Sequence, residues 1–175
     1  LRTKHHKNDK MWVQGKKNAI QHGIYFNNDY VKISAGISIH GKTELIFLPN
    51  KFNGKVYAEQ VLPIFKEEMV KHGLKYFMQD NSKIHYEKNY CIPKLEEFNH
   101  ILDWPARSPD LNPIENLWSY LSYKLRNRNF GNLRQMKMAI KEEYNFGPQS
   151  LIFKFCNFFH SRLKKCINLK GQMIS

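Results

Sequence analysis

The sequence predicts a single mixed α/β domain. Three observations carry this reading: an eleven-residue stretch at residues 30–40 that alternates apolar with polar, a middle where short apolar runs alternate with helical periodicity, and a helical C-terminal third. The chain has 175 residues, 42% of them apolar and 14% aromatic. That suffices for one core and is too aromatic for a disordered chain. No internal repeat, low-complexity tract or linker divides it, so residues 1–175 are read as one domain.

A short strand is read at residues 10–14. In residues 30–40, Val31, Ile33, Ala35, Ile37 and Ile39 fall on one side, the period-two signature of a strand. His40-Gly41-Lys42 makes a turn and residues 44–48 return as a second strand, giving a hairpin. Residues 55–71 space Val56, Ala58, Val61, Leu62, Phe65, Met69 and Val70 as a helix does. Gly73 is the stop, and Pro63 predicts a kink or a break. Residues 74–78 read as a strand that ends at Gln79-Asp80-Asn81. Residues 86–98 read as a helix interrupted by Pro93, and residues 100–104 as a further short strand. After the turn-rich residues 105–113 a long helix begins near Ile114, with Pro113 suited to its first turn. Helices at about residues 133–144 and 148–163 and a basic tail complete the chain.

The net charge is +13, and it is polarised. Residues 1–17 hold six Lys or Arg and one acid, residues 18–115 hold 11 and 12, and residues 116–175 hold 11 and two. Two basic ends around a nearly neutral centre favour a polyanionic partner such as nucleic acid over a merely solvated surface. The longest apolar stretches are too short to cross a bilayer, so no membrane partner is expected. Cys91, Cys156 and Cys166 are widely spaced and lack zinc-ligand spacing, which fits free buried thiols in a reducing compartment.

Two carboxylates stand out by position. Asp80 lies where an apolar strand ends, and Glu115 lies in the first turn of a helix after a proline-rich loop. Such places gather ligand-binding groups in α/β folds. Each also has a plain structural role, since Asp-Asn is good turn chemistry and a first-turn Glu complements the helix dipole.

Their surroundings decide between these. Phe77-Met78-Gln79-Asp80-Asn81 with His85 after it, then Trp104-Pro105 and the run from Ser108-Pro109-Asp110-Leu111-Asn112-Pro113 through Ile114-Glu115-Asn116-Leu117-Trp118, resembles the catalytic core of the Tc/mariner superfamily of DNA transposases. Thirty-four residues lie between Asp80 and Glu115, as the resemblance requires for the second and third members of that family's Asp-Asp-Glu triad. Asn8-Asp9-Lys10-Met11-Trp12, the strand from Val31 to Ile39, and Arg162-Leu163-Lys164-Lys165-Cys166 with Lys170-Gly171 extend the resemblance over nearly the whole chain.

The resemblance implies a ribonuclease H-like mixed sheet flanked by helices. It implies cut-and-paste transposition, in which three carboxylates hold two Mg²⁺ ions, with Mn²⁺ as substitute, for DNA strand cleavage and transfer. Transposon ends and target DNA would be the partners, the nucleus the place of work, and a homodimer is compatible with it. The chemistry is consistent with the residues: phosphodiester displacement needs an activated oxygen nucleophile and a stabilised leaving oxygen, and two hard cations about 3.5–4 Å apart supply both. Mg²⁺ takes oxygen ligands and keeps several waters, so a few carboxylates suffice. Asp80 and Glu115 are the two metal ligands. His85 matches a family histidine that touches the site, or else is structural; Asn81 and Asn116 adjoin the two acids and would orient them by hydrogen bonds. Asp110 reads as a turn or cap residue, and Asp103 as a weak ligand candidate. Leu117, Trp118 and Leu121 share one side of the new helix, as core residues do.

The sequence departs from the family in three places. The family's first Asp ends a strand that precedes the region of residues 10–14, and the chain is read as N-terminally truncated, lacking that strand and the helix-turn-helix DNA-binding region. Asp9 sits at the wrong place, and Asp29 falls in a polar loop. Lys83 stands where the family usually has proline. With two of three carboxylates, a two-ion site is expected only in the intact enzyme, and the isolated chain is expected to be weakly active or inactive. The alternative is a non-catalytic nucleic-acid-binding remnant that uses Lys4, Lys7, Arg126, Arg128, Lys164 and Lys165 against phosphate. An RNA-cleaving ribonuclease H-type enzyme shares the fold and the metals but matches the motif string less well.

Overall fold

The computed structural model describes residues 23–26, 29–98, 100–105 and 108–172. The strand read at residues 10–14 and the candidates Lys4, Lys7 and Asp9 lie outside them.

The antiparallel part is built from β1 (Gly23–Phe26), β2 (Asp29–Ser34), β3 (Ile37–Ser38), β4 (Gly41–Lys42) and β5 (Ile46–Phe47). β2 pairs with β1 on one edge and β5 on the other, and β3 pairs with β4. Asp29 therefore opens a strand, opposite Phe26, and does not lie in a loop. The strand predicted at residues 30–40 is divided into β2 and β3, with residues 39–40 in the turn. Ile33 pairs with Phe47 and Ile37 with Lys42, so four steps along the outgoing strand match five along the returning one. The extra residue is a bulge opposite Ala35, which bends the hairpin. Val31, Ile33 and Ala35 are buried, whereas Ile39, in the turn, is half exposed.

The helix predicted at residues 55–71 is continuous. Asn53 caps its start, its Oδ1 accepting from Val56 N at 3.0 Å. Helix α1 (Gly54–Val56) passes through a π-helical turn (Tyr57–Val61) into α2 (Leu62–Lys71). Pro63 neither breaks nor stops it: the proline occupies the second residue of α2, and the wider turn before it, closed by Leu62 N to Tyr57 O, absorbs the lost hydrogen bond. Gly73, at φ +61°, ends α2 with Leu74 N bonded to Met69 O at 2.8 Å.

β6 (Tyr76–Phe77) pairs in parallel with β7 (His100–Ile101). Between them the helix predicted at residues 86–98 is shorter, α3 (Cys91–Leu95). The Glu87 carboxylate accepts from the N–H groups of Asn89 and Tyr90, holding residues 86–90 in turns. Pro93 thus falls in the first turn of α3, where its missing N–H costs nothing, so it helps set the helix start instead of interrupting a longer helix.

α4 (Ile114–Leu125) and α5 (Leu133–Phe146) follow as predicted, α4 directly after Pro113, and α6 (Gln149–Asn168) runs five residues past its predicted end, so that Lys164 and Lys165 of the expected tail are helical. Leu117, Trp118 and Leu121 are core residues, as their spacing indicated. They form one cluster with Val31, Ile33, Met136, Ile140 and Ile152. A second cluster joins Tyr57, Val61, Leu62 and Phe65 to Phe77, Cys91 and Leu95. Lys42 Nζ reaches the carbonyls of Tyr144 and Gly147 at the end of α5, and Tyr144 donates to Thr43 O at 2.7 Å, which pins the hairpin to α5. All three cysteines are free; Cys91 is buried, and Cys156 and Cys166 are partly so. No helix among the described residues is long and apolar enough to cross a membrane.

Candidate active site

Asp80 stands three residues beyond the end of β6. Its Oδ1 accepts from Ser82 N at 3.1 Å and lies 2.7 Å from His85 Nδ1. The carboxylate therefore shapes its own loop, which His85 N to Ser82 O at 2.9 Å closes. Lys83 is exposed within that turn. The His85 ring packs on Tyr57 at 4.3 Å between centroids, and the Tyr57 hydroxyl donates to Gln79 Oε1 at 2.7 Å. Burial, and then the nearby Asp80 charge, push the Tyr57 phenol well above its ordinary range, so it remains a donor. Gln79 Nε2 is buried with no partner among the described residues.

Glu115 is set by the loop before α4. Leu111 N bonds to Ser108 O at 3.3 Å and Asn112 N to Pro109 O at 3.1 Å, making a rigid turn. Asn112 Oδ1 then accepts from Ile114 N at 3.2 Å, and Glu115 N bonds to Asn112 O. Glu115 emerges in the first turn of α4. Asp80, His85, Asn112 and Glu115 line one cavity of about 420 Å³, together with Tyr57, Gln79 and Trp118. Residues 35 positions apart in the sequence thus line one cavity.

The asparagines beside the two acids bond elsewhere. Asn81 Nδ2 donates to Trp104 O, tying the Asp80 loop to the chain after β7. Asn116 Nδ2 donates to Pro113 O at 3.1 Å, and its Oδ1 accepts from Arg162 Nη2 at 2.7 Å, tying the start of α4 to α6.

That bond also orders the basic residues. Lys164 and Lys165, both exposed, follow Arg162 and so lie toward the Glu115 end of α4. Arg126 caps the opposite end, ten residues of helix and about 15 Å from Asn116. Arg128, beyond it, is ion-paired with Glu143 of α5. The charges read together in the sequence therefore form two separate groups.

A hard divalent cation fits the carboxylate oxygens of Asp80 and Glu115. Cys156, on the same cavity, offers a soft sulfur that a hard cation does not select, and burial pushes its thiol up to about 11. Among the described residues no cluster of three His, Cys, Asp or Glu side chains is placed to hold a metal. Sequence reasoning missed Tyr57 and Arg162 as supports of the site, since nothing in their local patterns names partners 22 and 46 residues away, Gln79 and Asn116.

A family model for the DDE superfamily endonuclease matches residues 5–137. The chain belongs to that family. It is 30% identical over 158 residues to the Tc3 transposable-element transposase of Caenorhabditis elegans, a match that covers 86% of this chain and 47% of the relative. It thus spans less than half the length of that relative. Among solved structures it is similar to the Mos1 transposase catalytic domain with raltegravir and Mg, at a TM-score of 0.78 and 20% identity, covering 89% of this chain and 83% of that one. It is also similar to the Mos1 paired-end complex with left transposon end, at a TM-score of 0.75 and 18% identity, covering 94% and 51%. These likenesses give the family's ribonuclease H-like fold, here a mixed α/β arrangement in which the antiparallel strands and the parallel pair form separate ladders.

Proposed function

We propose that this chain is the catalytic portion of a cut-and-paste DNA transposase, with Asp80 and Glu115 as two of its metal ligands. The observation that carries the reading is the convergence of these two acids, from a strand end and a helix start, on one cavity. When bound, a pair of Mg²⁺ or Mn²⁺ ions would activate the attacking oxygen and stabilise the leaving one.

The chain's own residues prepare that chemistry. His85 holds the Asp80 carboxylate in one orientation, and the Tyr57 ring holds His85. Arg162, through Asn116, fixes the first turn of α4 and with it Glu115. Lys164 and Lys165, toward the same end of α4, would take the phosphates of a DNA end by displacing counterions. DNA as substrate makes the nucleus the working compartment, and a homodimer would bring two such ends together.

The experiment is a titration of the purified chain with Mn²⁺ in the presence of terminal-repeat DNA. Metal binding and strand cleavage that both vanish in Glu115→Ala support the reading. Metal binding lost in that variant with no cleavage in the parent chain supports the ligand assignment in a weakly active chain. DNA binding indifferent to metal and to Glu115→Ala supports instead the non-catalytic nucleic-acid-binding remnant, which the lack of a three-ligand cluster among the described residues favours.

A further inference from the structure

Glu143 is the last acid of the chain, and residues 144–175 hold five Lys or Arg and no Asp or Glu. Most of that stretch is α6, which therefore carries cations and no carboxylate of its own. Its inner side is occupied. Ile152 is buried, Cys156 and Phe159 line the cavity, and Arg162 holds Asn116, with β3, β4 and α4 as the neighbours against which the helix packs.

The outer side has a different composition. Phe153, Asn157, His160 and Lys164 recur at intervals of four, three and four residues, which sets them in one row along about 16 Å of helix. Lys154 and Phe158 stand in the adjoining row, with Lys154 Nζ 5.7 Å from the centre of the Phe158 ring. All six side chains are exposed, Phe153 at 51% and Phe158 at 46%. Two aromatic rings are thus interleaved with cations on a face without acids.

The charge of this face sets the sign of its partner, since a surface of one sign attracts the other. It speaks against a second copy of the chain, because across a two-fold axis Lys154 and Lys164 would meet the same lysines. The rings narrow the choice further. A duplex offers phosphates to the lysines but keeps its base faces stacked inside, and both rings would stay in water. A single strand offers phosphates and open base faces together, and every base has a π-face on which an aromatic side chain can stack.

We propose that the outer face of α6 binds single-stranded DNA. Bases stack on Phe153 and Phe158, Lys154 and Lys164 take phosphates, and the Asn157 amide between them offers a donor and an acceptor to a base edge. The inference rests on DNA as the substrate proposed above and adds a strand preference to it. Cys156 and Phe159 reach the cavity from the inner side of the same helix, so the bound strand lies about one helix diameter, 10–12 Å, from the space that Asp80 and Glu115 line. That position suits a strand left unpaired next to the cut.

The test compares, by fluorescence anisotropy, binding of the full 175-residue chain to a labelled oligothymidylate and to an abasic strand of the same length and charge. The base-bearing strand should bind at least about fivefold tighter, the effect of a single stacked base. The double variant Phe153→Ala/Phe158→Ala should lose that preference, and Phe158→Trp should keep it. Lys154→Ala should lower the salt slope by about 0.7, one phosphate contact on a single strand. No preference for bases in the parent chain, a preference that survives loss of both rings, or an unchanged slope in Lys154→Ala would overturn the inference. If a duplex of the same length still binds with a slope that falls in Lys164→Ala, DNA stands as the substrate and the strand preference alone is lost. If neither duplex nor single strand binds, the proposed substrate is lost with it. A dimer that the double variant dissolves names a second copy as the occupant and would equally overturn it.

Discussion

The Nδ1 nitrogen of His85 lies 2.7 Å from Oδ1 of Asp80 while its ring is stacked on Tyr57. A carboxylate on a turn is thereby held by a side chain that is itself held by a helix. Losing such a support costs about 10–100-fold in metal affinity at characterised sites. His85→Ala should lower Mn²⁺ affinity by that order, with His85→Asn recovering part of it, as read by Mn²⁺ paramagnetic resonance. Unchanged affinity in both variants would remove His85 from the site.

Tyr57→Phe tests the next link inward. The hydroxyl satisfies Gln79 Oε1 in a buried setting where Gln79 Nε2 already has no partner among the described residues. Stranding the remaining oxygen should cost about 1–3 kcal/mol. A urea midpoint equal to that of the parent chain would contradict it.

The division of basic residues between the two ends of α4 predicts unequal roles in DNA binding. Each phosphate contact contributes about 0.9 to the slope of log K against log salt. Replacing Lys164 with Ala should reduce that slope by close to one contact's worth. Arg128→Ala should change it less, since the guanidinium is engaged with Glu143. Fluorescence anisotropy with duplex DNA over a salt series measures both, and a larger effect at Arg128 would reverse the assignment.

Burial pushes the Cys156 thiol up to about 11. A raised thiol value keeps the unreactive protonated form across neutral pH, so alkylation by iodoacetamide should rise about tenfold per pH unit from 8 to 10 and level off only near 11. Peptide mass spectrometry separates Cys156 from the other thiols. A plateau below pH 9 would place Cys156 in a more solvated setting.

Much of this was legible in the sequence because it is written within a few residues. Pro113 ahead of Ile114 sets the start of α4, Gly73 ends α2, and the string around Asp80 and Glu115 announces the family. The readings that needed adjustment depend on distant partners. Pro63 was legible as a disturbance but not as a π-helical turn, and Pro93 as an interruption but not as part of a helix start. The alternation of residues 30–40 could not disclose the bulge opposite Ala35, which exists only once the returning strand is in register.

The sequence by itself determined the element types, the polarised charge and the two acids, since propensity, capping and charge are properties of short segments. Tertiary structure alone decided which groups meet: Asp80 with Glu115 on one cavity, His85 between Asp80 and Tyr57, and Arg162 on Asn116. The physical reason is that these contacts join segments whose approach is set by core packing across the whole domain, and no local pattern encodes that approach.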